Sequence, residues 1–166
     1  MGPAEESEQP STNTLENLRP SVFFDSLLLH EIGSDDVVAL EQSTEIVPDA
    51  NNKKKSWEIP DYVLVVIRRD GANMGRLVRK IIFERTDLQP HRQLIYDQNG
   101  ALATEATYEN FSDFSGVKFP TKIVINRPKE EYSIRLTIEK LEVNKPLTDE
   151  QFALAQPPGA QVKTLK

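Results

Sequence analysis

The chain has 166 residues, 26 acidic and 20 basic, giving a net charge of −6, with 38% hydrophobic residues and no cysteine. That length can bury the core of one domain, the acidic balance argues against a nucleic-acid surface, and the missing thiol excludes disulfides, thiol catalysis, zinc–thiolate sites and a lipid-anchor cysteine on this chain. No apolar run approaches the ~20 residues of a membrane span, and with no basic region followed by an apolar stretch at the N-terminus, no signal peptide is expected.

Residues 1–14 are rich in Glu, Pro, Ser and Thr and hold no large apolar side chain after Met1. Such a segment cannot offset its ordering entropy by burial, so a flexible acidic tail is expected there and a single domain over residues 15–166. Leu15 and Leu18 are the first packing signals, and Pro20 suits the first turn of a helix because no hydrogen bond is lost there. The pairs Phe23/Leu27 and Phe24/Leu28 recur at four-residue spacing. They predict an amphipathic helix from Pro20 to Glu31, with Gly33 as its left-handed C-terminal cap.

From Asp36 to Asn144 the sequence reads as strands joined by tight turns. Val37–Val47 is the first, ended by Pro48 and the polar loop Asp49–Ser56. Trp57–Arg69 is the second, and its run Tyr62–Ile67 is apolar on both faces, as in a central strand. The glycine-rich loop Arg69–Gly75 leads to a third strand, Leu77–Arg85, and His91–Asp97 is the fourth. Asn99-Gly100 tolerates the positive φ of a hairpin turn and is the best local turn signal in the chain. Leu102–Phe111 follows, then a turn at Asp113–Gly116, then Val117–Arg127 with Val117, Phe119, Ile123 and Ile125 on one face. After a turn at Pro128–Glu130, the strand Glu131–Val143 puts Tyr132, Ile134, Leu136 and Ile138 on one face, whereas Leu141 and Val143 have the opposite parity. A bulge near Glu139-Lys140 is therefore expected. Seven strands with hairpin-length links predict a mainly β fold: an antiparallel meander, with one short helix packed on its sheet.

Chemistry is sparse. His30 and His91 fall in different elements and read as a surface helix residue and a loop residue. Asp35-Asp36 has no third ligand at calcium-loop spacing, and Asp70 with Asn73 fails the same spacing. Lys53-Lys54-Lys55 reads as a solvated loop tip. No phosphate loop, nucleotide fingerprint or serine elbow is present. No enzyme activity, cofactor or metal is expected.

Apolar strand surface is what the chain has in excess. Leu94/Tyr96, Ile123/Ile125 and Leu136/Ile138, with Val65 and Ile67 of the central strand, need a covering layer, and one helix of about three turns supplies Phe23, Phe24, Leu27 and Leu28. Two readings stay open. Either this helix and the later residues Phe152, Leu154 and Val162 complete an ordinary core, or the sheet keeps an apolar groove that suits an acyl chain, which needs no polar partner.

Tyr96-Asp97-Gln98-Asn99-Gly100, then Tyr108-Glu109-Asn110-Phe111, then GVKFPTKIVINRP (residues 116–128) and YSIRLTIEKLEVNKPL (residues 132–147) occur in that order. The closing LTDEQFALAQPPGAQV holds Phe152, Pro157, Pro158 and Gly159. This succession, from Leu94 to Val162, resembles the closing hairpins of the LolA/LolB-like lipoprotein carriers and their outer-membrane lipoprotein-sorting relatives. Leu15–Ile32 resembles the helical segment ahead of their later strands. The resemblance implies an open half-barrel, a curved antiparallel sheet around an apolar cavity with helices as a lid. It also implies a non-catalytic role at the periplasm or outer-membrane periphery, with a lipid or lipoprotein acyl chain as ligand and envelope proteins as possible partners. The chain is shorter than that pattern, and the family's N-terminal helix and first strands are expected to be missing from it. On this reading the groove is lined by Phe23, Phe24, Leu27, Leu28, Val65, Ile67, Leu94, Tyr96, Ile123, Ile125, Leu136 and Ile138. The alternative is a structural or protein-interaction domain of the envelope whose core is filled by its own side chains.

Overall fold

The computed structural model describes residues 20–148, except 50, 53, 72 and 73. The expected acidic tail and the residues Phe152, Leu154 and Val162 lie outside the described residues.

Helix α1 (Pro20–Leu27) is followed by strands β1 (Asp36–Pro48), β2 (Ser56–Arg69), β3 (Gly75–Glu84), β4 (Pro90–Tyr96), β5 (Leu102–Phe114), β6 (Val117–Arg127) and β7 (Tyr132–Thr137). The strands form one antiparallel sheet in sequence order, β1 to β7, and its two edges do not pair with each other. The meander expected from the hairpin-length links is the topology observed. Register shifts at Val66/Ile67, Ile82/Phe83 and Ile95/Tyr96 put bulges into the β2–β3, β3–β4 and β4–β5 ladders, which bend the sheet and increase its twist.

Three expectations are corrected. The helix ends at Leu27, not Glu31, because the sheet takes its terminal carbonyls: Gln93 Nε2 donates to Asp25 O at 2.7 Å and the Tyr108 hydroxyl to Ser26 O at 2.7 Å. Gly33 is accordingly no helix cap. Its N–H donates to Asp36 Oδ2 and its carbonyl accepts from Asp36 N, which makes the turn into β1. The last strand stops at Thr137 instead of running to Val143 through a bulge. One further bond, Ile138 N to Thr121 O at 2.8 Å, closes the ladder, and the parity change at Leu141 is met by leaving the sheet.

The Asn99-Gly100 expectation holds with a refinement. Of this pair only Gly100 has positive φ (75°), and Asp97 Oδ1 accepts from the N–H groups of Asn99 and Ala101 at 2.9 and 3.0 Å. The aspartate thus organises a longer turn than a two-residue Asn-Gly hairpin.

Register assigns the two faces. Leu64, Ile81, Gln93, Ala106, Ile125 and Ile134 form one row across β2 to β7, and α1 lies on their side. Val65, Lys80, Leu94, Glu105, Asn126 and Ser133 form the row behind it, on the opposite face. The core sits between α1 and β5–β7. Val22, Ala106, Tyr108, Ile123 and Ile125 are buried there, with Phe23, Leu27, Phe111, Phe119, Ile134 and Leu136 packed around them. Burial of each such isoleucine contributes about 1.5–3 kcal/mol, which fixes a helix far too short to stand alone.

Candidate functional site

The seam between α1 and the sheet holds an apolar groove. Leu27, Leu28 and Leu29 form one wall, Phe111, Phe119 and Pro120 the other, and Gln89, Pro90, Tyr108 and Lys118 complete a hollow of about 260 Å³. Leu28 is 52% exposed at its mouth. Phe119 faces the helix by the alternation it shares with Ile123 and Ile125. Phe111 has the wrong parity for that face, yet packs with the same cluster, because the left-handed backbone at Asn110 (φ 57°) interrupts the alternation of β5. Burial pushes the Tyr108 phenol well above its ordinary pKa, so it stays a protonated donor to the helix carbonyl.

A second hollow on the helix side, about 210 Å³, has a different character. Arg68, Arg76 and Arg79 line it with Glu31, Asp36, Ile32, Val66 and Tyr96. Arg68 binds Asp36 with two hydrogen bonds, at 3.0 and 3.2 Å. That guanidinium, helped by the Gly33 N–H, holds the Asp36 carboxyl below its usual range. Arg79 donates to the carbonyl of His30 at 3.3 Å, and burial raises the Tyr96 phenol. Charged side chains make this hollow a poor place for a long hydrocarbon.

The expected groove residues are dispersed. Phe23 and Leu27 pack on the core, and Ile123 and Ile125, at 0% exposure, are its sealed floor and not the wall of an open groove. Leu136 flanks that floor, and Ile138 lies just beyond β7. Leu28 is at the groove mouth, whereas Phe24 is 59% exposed. Val65 and Leu94 are on the face away from the helix, as is Ile67 opposite Val37. Tyr96 lines the arginine hollow. Leu29, Phe111, Phe119 and Pro120 belong to the groove without having been singled out. Phe119 was legible from its parity, and Phe111 was hidden by Asn110.

On the opposite face, Glu45, Asp61 and His91 bring their side-chain ligand atoms within 4.8 Å of one another. His91 is a strand residue, not a loop one, and its Nε2 stands 3.0 Å from Oδ1 of the buried Asp61.

A family model, described as that of an uncharacterized protein, matches residues 25–156, and the chain belongs to that family. No curated protein matches the sequence. Among solved structures the chain resembles a domain described as an outer membrane lipoprotein-sorting protein from Vibrio parahaemolyticus, at 18% identity and TM-score 0.45, over 67% of this chain and 46% of that one. It resembles a DUF1329 family protein from Desulfovibrio piger at 17% identity and TM-score 0.48, over 72% and 45% of the two chains. It also resembles a LolA superfamily protein from Nitrosomonas europaea at 19% identity and TM-score 0.45, over 74% and 51%. The chain spans about half the length of each of these structures. Among the described residues no helix is long and apolar enough to cross a membrane.

Proposed function

We propose that this protein is a non-catalytic module of the bacterial cell envelope that shelters an acyl chain, of a lipid or a lipoprotein, in the groove between α1 and β5–β6. The observation that carries this reading is the groove itself: hydrocarbon walls from Leu27, Leu28, Leu29, Phe111 and Phe119, open to solvent at Leu28. Its volume, about 260 Å³, falls just under the ~300–1,000 Å³ of ordinary ligand sites, so it takes part of a chain and leaves the head outside. Gln89, Tyr108 and Lys118 are the polar lining groups, and they suit binding better than acid–base chemistry. The sequence resemblance supports a site of action at the periplasm or the outer-membrane periphery, with envelope proteins as donor or acceptor.

A specific observation favours a second reading, that of a structural or interaction domain. Ala106, Ile123 and Ile125 are completely buried beneath Val22, so the layer under the helix is already filled. Native mass spectrometry of the purified protein separates the two readings. The carrier reading expects a co-purified or readily acquired lipid at one per chain. Only the bare protein mass, before and after incubation with fatty acid, supports the structural reading.

A further inference from the structure

We propose that Glu45, Asp61 and His91 form a binding site for a divalent first-row metal cation of the zinc class, on the face of the sheet opposite the helix. Asp61 is 2% exposed in β2, next to the edge strand and directly before the apolar run of β2. A carboxylate in that position is costly unless positive charge meets it. His91 comes to it through a bulge: Ile82 pairs with Arg92 and Phe83 with Pro90, which leaves His91 as the extra residue. Bulges of this kind re-aim a side chain, and here the imidazole Nε2 reaches Asp61 Oδ1 at 3.0 Å. Glu45 joins from β1, where it pairs with Ile59 and so shares the face of Asp61.

The geometry is near that of a three-ligand site. Metal bonds of about 2.0–2.2 Å set neighbouring ligand atoms of a tetrahedron about 3.4 Å apart. The three ligand atoms lie within 4.8 Å of one another, and His91 and Asp61 are already at the short spacing. Glu45 has the freedom to close the rest. Its ion-pair contact is Arg92, 3.6 Å away, beyond hydrogen-bonding range. A cleft of about 420 Å³ bordered by Glu45, His91, Arg92 and Thr107 gives an ion a path from solvent. Two carboxylates balance a divalent charge, and the imidazole selects zinc-class ions over magnesium and calcium. Arg92, whose Nε is buried with no hydrogen-bond partner among the described residues, is the competing cation for Glu45, through that long 3.6 Å contact alone. The alternative arrangement is a closed set of ion pairs, Arg92 with Glu45 and His91 with Asp61.

The test uses the tag-free chain, stripped with a chelator and titrated with Zn²⁺ by calorimetry and with Co²⁺ by visible absorption. The proposal expects one ion per chain and a melting temperature that rises with Zn²⁺. His91→Ala should weaken binding by roughly 100-fold or more. Because that variant also unpairs Asp61, Glu45→Gln is the cleaner probe: it leaves the His91–Asp61 contact intact, should melt like wild type without metal, and should bind Zn²⁺ clearly more weakly. His30→Ala should bind as wild type. Three results would each overturn the proposal: no binding by the folded wild-type chain, unchanged affinity in Glu45→Gln, or binding that disappears with His30.

Discussion

Tyr108→Phe removes one oxygen from a site where its absence should be felt. The Tyr108 hydroxyl, on a side chain that is 5% exposed, donates to Ser26 O at 2.7 Å. Ser26 is itself fully buried, with its own hydroxyl donating to Val22 O. Its carbonyl is one of the last four in α1, which have no partner within the helix, so phenylalanine leaves a buried acceptor unpaired. A net hydrogen bond is worth about 0.5–1.5 kcal/mol and an orphaned buried group costs about 1–3 kcal/mol, so a loss of about 1–2 kcal/mol is expected. For a domain of this size that lowers the melting temperature by roughly 3–8 °C. An eight-residue helix has no stability of its own, so the loss should be concentrated there. Hydrogen exchange at Val22 to Leu27 should accelerate while amides of β2 and β3 keep their protection. A variant melting within 1 °C of wild type on the roughly 3–8 °C scale set above, with unchanged exchange in α1, would refute the claim that sheet side chains cap this helix.

Gly100→Val should destabilise by about 1–2 kcal/mol in denaturant melts. Gly100 has φ 75°, and a Cβ there meets nothing within 4 Å among the described residues, so the cost is backbone strain and a loss of only a few tenths would show the turn misassigned. Acid sensitivity follows from Asp36 and Asp97, both held below the ordinary carboxyl range, the first by Arg68 and the second by Lys129 with the N–H groups of Ala101 and Asn99. With folded values under the unfolded ~3.9, their stabilisation is complete above that pH and is lost as pH falls through the folded values. Urea midpoints should therefore fall modestly below about pH 4, and Asp36→Asn should flatten that fall; an identical acid profile would argue against the Arg68–Asp36 pair.

The sheet order was legible because several turns announced themselves: Asp97 with Asn99-Gly100, Asp113 with Gly116, Pro128 with Glu130. Strand faces were harder. In β2, Tyr62–Ile67 is apolar throughout, so nothing in its pattern says that Val65 and Ile67 turn away from the helix while Leu64 and Val66 turn toward it. Gln93 reads as an outward polar residue, yet it is completely buried under α1 because its amide satisfies the Asp25 carbonyl. That same contact, between residues far apart in sequence, ends the helix earlier than its apolar spacing suggests. The walls of the hollow beside the helix depend on the backbone at Asn110, which sequence alternation cannot register. The acidic–histidine cluster was invisible for a related reason: Glu45, Asp61 and His91 come from three strands and meet only through a bulge.

The central claim, that the seam beneath Leu28 receives an acyl chain, is tested most directly by titrating wild type and Leu28→Glu with a fluorescent fatty-acid probe. Leu28 is half exposed, so a carboxylate there can hydrate in the free protein and should leave the melt near that of wild type. In the complex it would be buried against hydrocarbon at high cost. The account predicts saturable binding by wild type and its loss in the folded variant. Equal binding by the two proteins, or none by wild type, would contradict it.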